Sequence, residues 1–364
     1  MKKIYVIDPL SPWGHADINE VIIDILREEY QVFYCGAKGL VDEKYGNVTY
    51  YNVNKERFCI TKHKIRNRIR LIAALREMLL KIDDIRPDYI FVVSYEIVTF
   101  FIASLLYRNK YSSYWENTYI LNHNNVDEME RSRLKTLLFC HLDSRIKPVF
   151  YEEFIKEYVN PKYKKSGVVI HHNINNYKLK IGGEEAVNGN ISSFFSDRKS
   201  TYIVSPSSNP MDSNVIEEIM KLDKEGILKK EQVKFFIKDR TREYQSETVF
   251  FYNGYLNNAE YNYIFESASY ILLLYKSDTY KYRVSGVYFD TLTFLKPIIY
   301  EGNLFFENQA KQFGKIGIEF YGTMEQVIQS LDSSSYENEC SNIEKARDFY
   351  SDQHILAEFK EVFL

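Results

Sequence analysis

Short apolar segments alternate with longer amphipathic segments along this chain, and the alternation occurs twice. In the first half, KIYVID (residues 3–8) and QVFYCG (31–36) have the length and composition of buried strands. Between them, INEVIIDILREEY (18–30) has apolar residues at helical spacing. Strands that alternate with helices predict a parallel sheet that is covered by helices on both faces.

A polar stretch at residues 176–199, which contains three glycines, interrupts this alternation, and we interpret it as a linker. The alternation restarts at STYIVS (200–205) and ends in helical segments. A chain of 364 residues is long enough for two domains. The sequence therefore predicts two consecutive α/β domains with a ligand cleft between them.

The composition excludes several classes of protein. With 47 basic and 50 acidic residues the net charge is -3, so we expect no nucleic-acid partner. The four cysteines, Cys35, Cys59, Cys140 and Cys340, lack metal-site spacing and predict no disulfide framework. The first apolar run is too short for a signal peptide, and no run reaches the roughly 18 residues of a membrane span. We expect a soluble, cytoplasmic protein.

One carboxylate, Asp290, stands in the apolar segment SGVYFDTLTFLKPII, directly after a Ser-Gly turn. The amides at the start of a helix bind a diphosphate without a metal ion, and here they are those of Gly286 and Val287. Glycine permits close approach of a ligand, and Ser285 caps the helix or donates a hydrogen bond. The alternative is a routine helix cap followed by a solvent-facing Asp290.

The order of segments over residues 248–302 resembles the donor half of GT-B glycosyltransferases. Many retaining members have two acids separated by seven residues, followed by Gly-Lys-Pro. Here Asp290 matches the second acid and Lys296-Pro297 the Lys-Pro, whereas Tyr282 replaces the first acid and Leu295 the glycine. A variant branch with a Ser-Gly turn fits the sequence better.

The resemblance implies two Rossmann-like domains that face each other across a cleft. The acceptor-side domain would be residues 1–178, with a C-terminal helix at about 346–364 packed back on it, and the nucleotide-sugar domain residues 200–345. It also implies sugar transfer to a glycan or lipid-linked acceptor, in surface polysaccharide or glycoconjugate synthesis. Asp290 would accept hydrogen bonds from the ribose, and no cofactor or metal would be required. The alternatives are a non-catalytic GT-B protein that binds glycan or supports a partner, and a nucleotide-sugar epimerase.

Three further residues of the second half are candidates for donor binding. Lys238 and Arg240 end the predicted strand KFFIKDR, where cations would offset the charge of a leaving diphosphate. Tyr255 follows Asn253-Gly254, where relatives hold the base, so its ring would stack on that base. The alternatives are surface cations at a strand end and a tyrosine of the core.

The first half contains candidates for the reaction centre. The loop SPWGHAD follows the first strand, where relatives place catalytic groups, and it contains Gly14, His15 and Asp17. A histidine suits a general base that deprotonates an acceptor hydroxyl, with Asp17 orienting it. His123, in ILNHNN at the end of a strand, is a second candidate. For each, the alternative is an ordinary polar loop residue.

A basic segment lies between residues 55 and 76. It contains eight cations against Glu56 alone. A helix starts within it, and we expect one face of that helix to have Ile65, Ile69, Ile72, Leu75 and Leu79. Such a segment would hold an enzyme against anionic lipid at the inner face of the membrane. The alternative is a solvated helix face.

The candidate base His15 gives the first prediction. If His15 deprotonates the acceptor, His15→Ala should lower turnover about 100- to 10,000-fold and change donor affinity only a few-fold, because a base acts in the transition state. Steady-state kinetics on the folded variant measures both. Turnover close to the parent would remove His15 from the catalytic residues and make His123 the next to test.

Overall fold

The computed structural model describes residues 1–10, 16–58, 63–174, 186–207, 211–275 and 280–363. The chain divides into two units: Met1–Asn173 with Asp352–Leu364, and Ile174–Ser351. Each unit is built on a sheet of seven strands. The predicted fold class, α/β with two Rossmann-like domains, is confirmed.

Unit 1 has the strand order β3-β2-β1-β4-β5-β6-β7, and all neighbouring strands are parallel. Every residue of β4 and β5 is buried, as expected for strands with helices on both faces. Its strands are β1 Lys3–Ile7, β2 Gln31–Ala37, β3 Val48–Val53, β4 Tyr89–Val92, β5 Thr118–Leu121, β6 Lys147–Phe150 and β7 Val168–Val169. Its α-helices are Ala16–Leu26, Lys64–Leu80, Ile82–Ile85, Ile97–Leu106, Arg108–Tyr111, Asn125–Arg131, Arg133–Cys140, Glu153–Tyr163 and Asp352–Val362, and its 3₁₀ helices are Lys55–Phe58 and Ser112–Asn117.

Unit 2 has the order β10-β11-β9-β8-β12-β13-β14, in which only the short edge strand β10 is antiparallel to its neighbour. The strands are β8 Thr201–Ser205, β9 Val233–Lys238, β10 Tyr244–Gln245, β11 Val249–Tyr252, β12 Tyr270–Leu273, β13 Ile298–Glu301 and β14 Gly317–Phe320. The helices are Gly189–Phe194, Ser213–Lys224, Ile227–Lys230, Asn258–Ser267, Gly286–Thr293, Leu304–Phe313, Met324–Gln329 and Ser333–Phe349.

Both sheets reverse their strand order beside a central strand, between β1 and β4 in unit 1 and between β8 and β12 in unit 2. Connections leave such a switch point in opposite directions, which opens a crevice at the carboxyl ends of the strands. The residues that follow β8 and β12 are therefore the first place to look for a ligand site in unit 2.

One local prediction was wrong for part of its range, and residues 175–185 lie outside the described residues. The stretch interpreted as a linker contains the helix Gly189–Phe194, because Phe194 and Phe195 pack on the ring of Tyr202, at centroid distances of 6.1 and 4.8 Å.

The C-terminal helix Asp352–Val362 belongs to unit 1. Phe359 packs edge-on against Phe91 of β4 at 5.5 Å, and Phe363 stacks on Tyr89 of the same strand at 5.0 Å. The carboxylate of Glu358 accepts hydrogen bonds from the backbone amide and from Nδ1 of His171, at 2.8 and 2.5 Å. Aromatic packing and this half-buried ion pair therefore fix the helix against the central strand β4 and the residues after β7.

The Glu358–His171 pair predicts a pH-dependent contribution to stability. Burial lowers the pKa of His171, but the hydrogen bond and charge of Glu358 outweigh burial and raise it. The pair therefore stabilises fully below the unfolded pKa of about 6.5, and this contribution is lost as pH rises through the folded pKa. Glu358→Gln should lower the free energy of unfolding by about 1–3 kcal/mol at pH 6 and by less at pH 9.

Denaturant unfolding at both pH values measures this difference. Glu361→Gln, an exposed residue of the same helix, is the matched control and should change stability little at either pH. A loss in Glu358→Gln that is equal at both pH values would show that the charge of His171 contributes nothing.

Candidate functional site

The helix Gly286–Thr293 follows β12, the strand beside the switch point of unit 2. Ser285 caps it: its Oγ accepts from the Tyr288 amide at 3.2 Å, and its hydroxyl donates to the Tyr275 hydroxyl at 3.0 Å. Ser285 is only 3% exposed. Its hydroxyl is therefore occupied in positioning the helix, and no local sequence pattern pointed to its partner Tyr275.

The first turn of this helix is open. Gly286 is exposed and Val287 half-buried, and no residue in the described ranges accepts a hydrogen bond from either amide. A Cβ added at Gly286 would meet no described atom within 4 Å. Amides that point outward at a helix start, with the positive end of the helix dipole behind them, form an anion site.

Asp290 lies one turn further along, packed against the helix Asn258–Ser267. Its carboxylate is 4% exposed and accepts a hydrogen bond from the Tyr261 hydroxyl at 2.6 Å. The alternative of a solvent-facing Asp290 is therefore wrong. The pairing with Tyr261 joins residues that are far apart in the sequence, so no local pattern pointed to it.

The remaining positions of the resembled signature have structural roles. Tyr282, in the place of the first acid, is 4% exposed. Leu295, in the place of the glycine, has a positive φ of 54°, the backbone conformation for which glycine is best suited. Lys296 donates to the Glu266 carbonyl at the end of a neighbouring helix, at 2.9 Å. The variant branch with a Ser-Gly turn stays a prediction.

Lys238 is a buried cation at the carboxyl end of β9. It is 8% exposed, and the only hydrogen bond of its Nζ within the described ranges is one of 3.5 Å to the Tyr252 carbonyl. Burial lowers its pKa, and so does the charge of the exposed Arg240. The neighbouring Asp239 is held instead by Thr241 and by Arg242, at 2.7 to 3.2 Å. An anion bound here would offset the cost of burying Lys238.

Tyr255 is 89% exposed in the loop that follows β11. The alternative of a core tyrosine is therefore wrong. Its backbone carbonyl accepts from the Tyr252 hydroxyl at 3.3 Å, which ties the loop to the strand end and leaves the ring facing outward. An exposed aromatic ring of this kind suits stacking on a planar ligand group.

The structure describes only some of the candidate site residues of unit 1. Gly14 and His15 lie outside the described residues. Asp17 is exposed in the first turn of the helix Ala16–Leu26, where a carboxylate stabilises the helix dipole. His123 is half-buried, and its Nε2 lies 2.7 Å from the Val93 carbonyl. Since a carbonyl only accepts, Nε2 carries the proton in the neutral ring and Nδ1 is the basic nitrogen.

Asp8 is a buried carboxylate that we did not single out from the sequence as a site residue. It is fully buried directly after β1, and it accepts from the Ser94 hydroxyl, from Asn19 Nδ2 at 2.6 Å and from the Leu10 amide at 3.2 Å. These bonds hold the start of the loop that leads to Asp17. The sequence feature that could have pointed to Asp8 is the presence of a charged residue immediately after an apolar strand.

The predicted site residues thus fall into three groups. Ser285, Gly286, Val287 and Asp290 share one helix of unit 2. Lys238, Arg240 and Tyr255 follow β9 and β11, at the same edge of the same sheet. Asp17 and His123 belong to unit 1. Over the described ranges, no three His, Cys, Asp or Glu side chains are grouped as a metal site requires. That no metal is needed stays a prediction.

No protein-family model and no curated protein matches the sequence. Solved structures do match. An alpha,alpha-trehalose-phosphate synthase (UDP-forming) from Burkholderia vietnamiensis has a TM-score of 0.69 at 9% identity, over 100% of this chain and 98% of that chain. An E. coli structure described as trehalose-6-phosphate bound with UDP-2-fluoro glucose has a TM-score of 0.65 at 10% identity, over 100% of this chain and 99% of that chain. An alpha,alpha-trehalose-phosphate synthase (UDP-forming) from Burkholderia xenovorans, in complex with glucose-6-phosphate, has a TM-score of 0.66 at 8% identity, over 100% of both chains.

The chain has the GT-B fold. At these identities the likeness establishes the fold alone, and with it the architecture that the resemblance over residues 248–302 implied. It does not identify a substrate.

The Tyr261–Asp290 hydrogen bond predicts a measurable contribution to the stability of unit 2. Tyr261→Phe removes one donor from a buried carboxylate and should cost about 1–3 kcal/mol in the free energy of unfolding. Tyr263→Phe, on the same helix, is the control, because the Tyr263 hydroxyl has no hydrogen-bond partner in the part of the chain that the structure describes. Equal stability of the two variants in urea unfolding would show that the bond stabilises nothing.

Proposed function

We propose that this chain is a glycosyltransferase that binds a nucleoside-diphosphate sugar at the carboxyl edge of the unit 2 sheet. The observation that carries the proposal is the open first turn of the helix Gly286–Thr293, at the switch point of a GT-B fold. Its outward amides are suited to a diphosphate, because they donate hydrogen bonds without needing a counter-ion.

The neighbouring residues support the same ligand. Lys238 is a buried cation to which a phosphate oxygen would supply an anionic partner. Tyr255 offers an exposed ring to a base. Asp290, which accepts a hydrogen bond from Tyr261, lies one turn beyond these outward amides, and we assign it to a ribose hydroxyl as the resemblance implies. The three residues follow different strands, so they suit an elongated ligand better than a compact one.

The reaction breaks the bond between the anomeric carbon and the diphosphate and forms a bond from that carbon to an acceptor oxygen. The acceptor proton passes to a base, which we propose to be His15, oriented by Asp17. His123 is the second candidate, and Nδ1 would be its reacting nitrogen because Nε2 is directed at the Val93 carbonyl. The amides of Gly286 and Val287 and the ammonium of Lys238 stabilise the charge that develops on the leaving diphosphate.

The titles of the similar structures indicate which ligands to test first. They name UDP-forming synthases, UDP-2-fluoro glucose and glucose-6-phosphate, so UDP-sugars are the first donors. We propose a glycan or lipid-linked acceptor in polysaccharide or glycoconjugate synthesis, and a sugar phosphate is the alternative. We also propose that the protein is cytoplasmic and that its basic segment, residues 55–76, contacts the inner face of the membrane. No helix in the described ranges is long and apolar enough to cross a bilayer.

Two other functions remain as alternatives from the sequence. A non-catalytic GT-B protein would bind the nucleotide without releasing the sugar, so donor hydrolysis in the absence of acceptor would exclude it. An epimerase would convert the nucleotide sugar itself without an acceptor, and sugar analysis of the donor pool after incubation would detect it.

Gly286→Pro tests the diphosphate site directly. Proline is well tolerated at the first position of a helix, and Ser285, at φ -99° and ψ 114°, has the extended backbone that precedes proline. The substitution therefore removes one outward amide and leaves the helix folded. Affinity for nucleoside diphosphates, UDP first, should fall by about 1–3 kcal/mol with an unchanged melting temperature. Isothermal titration calorimetry and thermal unfolding measure the two.

Gly286→Ala is the matched control, because it keeps the amide and places its methyl group in open space. We expect it to keep the melting temperature and more of the affinity than Gly286→Pro. Equal losses in both variants would mean that ligand approach, and not the amide, requires the glycine. Parental affinity in Gly286→Pro would exclude the helix start as the diphosphate site.

A further inference from the structure

The exposed apolar side chains of this chain are concentrated on three helices of unit 1. Eleven large apolar side chains are exposed among the residues that the structure describes, and seven of them are on the helices Lys64–Leu80, Ile97–Leu106 and Arg133–Cys140. These helices have only 17, 10 and 8 residues in a chain of 364. Single exposed apolar residues are ordinary, but a concentration of them marks an interaction site. The seven are Ile65, Ile69, Leu80, Leu105, Leu106, Leu134 and Leu137.

The three helices form one layer. The helix Lys64–Leu80 packs on Ile97–Leu106, which packs on Arg133–Cys140. They lie in the connections that lead to β4, β5 and β6, the strands on one side of the switch point. Right-handed crossovers place successive connections of this kind on the same face of the sheet. The exposed apolar side chains therefore lie on one surface of unit 1, which we call the apolar face.

The apolar face of the helix Lys64–Leu80 is covered over only part of its length. The helix has on one face the expected residues Ile65, Ile69, Ile72, Leu75 and Leu79. Ile65 and Ile69, near its start, are 76% and 62% exposed, Ile72 is half-buried, and Leu75 and Leu79 are 2% and 4% exposed. Ile65 and Ile69 are one helical turn apart, so they form a short stripe. The core covers the later part of the face, at Leu75 and Leu79, and Ile65 and Ile69 remain in contact with solvent.

Cations surround this outward stripe. Arg66 and Arg68 are exposed on either side of the line from Ile65 to Ile69, and Arg70 follows half-buried. No carboxylate of a described residue lies within ion-pair distance of these three arginines. The contrast is Arg57, which pairs with Glu77 at 3.1 Å.

We infer that the apolar face docks on an anionic lipid surface, with Ile65 and Ile69 inserted below the headgroups and Arg66, Arg68 and Arg70 on the lipid phosphates. An interfacial helix of this kind buries its apolar side chains at the boundary of headgroups and acyl chains and keeps its cations at the phosphates. A second copy of this chain is a poorer occupant, because two such faces would bring like charges together.

This inference deepens the proposed membrane contact and names the surface that makes it. It rests on the proposed function in one respect: docking on the membrane would bring a glycosyltransferase close to a lipid-linked acceptor. Lipid docking itself requires neither nucleotide binding nor sugar transfer.

Vesicle flotation tests the role of the arginines. The parent protein should bind vesicles of phosphatidylcholine with phosphatidylglycerol at low salt, and bind pure phosphatidylcholine much more weakly. Each cation near an anionic surface contributes about fivefold to partitioning, so Arg66→Gln with Arg68→Gln and Arg70→Gln should weaken binding roughly 100-fold. The charge-matched control is Lys221→Gln with Lys224→Gln and Lys229→Gln, on helices of unit 2, and it should bind like the parent.

A second pair of variants tests insertion. Ile65→Ser with Ile69→Ser keeps every charge and removes the outward stripe, so binding to the same vesicles should fall about tenfold or more. Tyr321→Ser, a 74% exposed residue of unit 2, is the apolar control and should bind like the parent. Melting temperatures of all variants should stay near the parental value, since the substituted side chains are at the surface.

Several results would overturn the inference: a parent that ignores anionic vesicles at low salt, equal binding to neutral vesicles, or controls that lose as much binding as the variants. A parent that dimerises without lipid and becomes monomeric in the isoleucine variant would assign the face to self-association instead. Nucleotide affinity, measured on the same proteins, should not change. A failure of lipid docking is thereby distinguished from a failure of the proposed function.

Discussion

Each unit is held together by a parallel sheet that is covered on both faces, and this covering restricts where polar groups lie. Inside a strand such as β4 or β5 every side chain is buried, so a charge there would have no water and few partners. The buried charges next to these strands are found instead at their carboxyl ends, with Asp8 directly after β1 and Lys238 as the last residue of β9. The chemistry of each unit therefore collects at one edge of its sheet, the carboxyl edge.

The sequence predicted the features that depend on local pattern. Alternating segments predicted both sheets, and the Ser-Gly turn predicted the helix that begins at Gly286, because caps and periodicity act over a few residues. Pairings such as Tyr261 with Asp290 depend on how distant segments pack, and no spacing rule reports them. Periodicity also does not tell how far along a helix the core covers an apolar face, and for this reason the exposure of Ile65 and Ile69 was not predicted.

The signature around Asp290 combines two kinds of requirement. Lys296 caps the carbonyl of Glu266 and joins one helix to the next, so it serves the fold whatever ligand is bound. Leu295 adopts the backbone conformation that glycine takes more easily, and its presence shows that the helix ending is kept even without glycine. A sequence resemblance that includes such positions is therefore evidence about architecture first. Evidence about the ligand has to come from groups that face outward, such as the amide of Gly286.

Lys238 and the pair Arg66 and Arg68 have no carboxylate within ion-pair distance among the residues that the structure describes, and their different environments give this observation different weight. Lys238 is buried, so the missing anion costs folding free energy, and a bound phosphate would recover part of that cost. Arg66 and Arg68 are solvated, so their lack of carboxylate partners costs little and by itself indicates nothing. What gives them weight is Ile65 and Ile69 beside them, since exposed apolar area carries a cost that charge does not remove. A buried cation is thus evidence on its own, whereas a surface cation becomes evidence only together with apolar side chains that need cover.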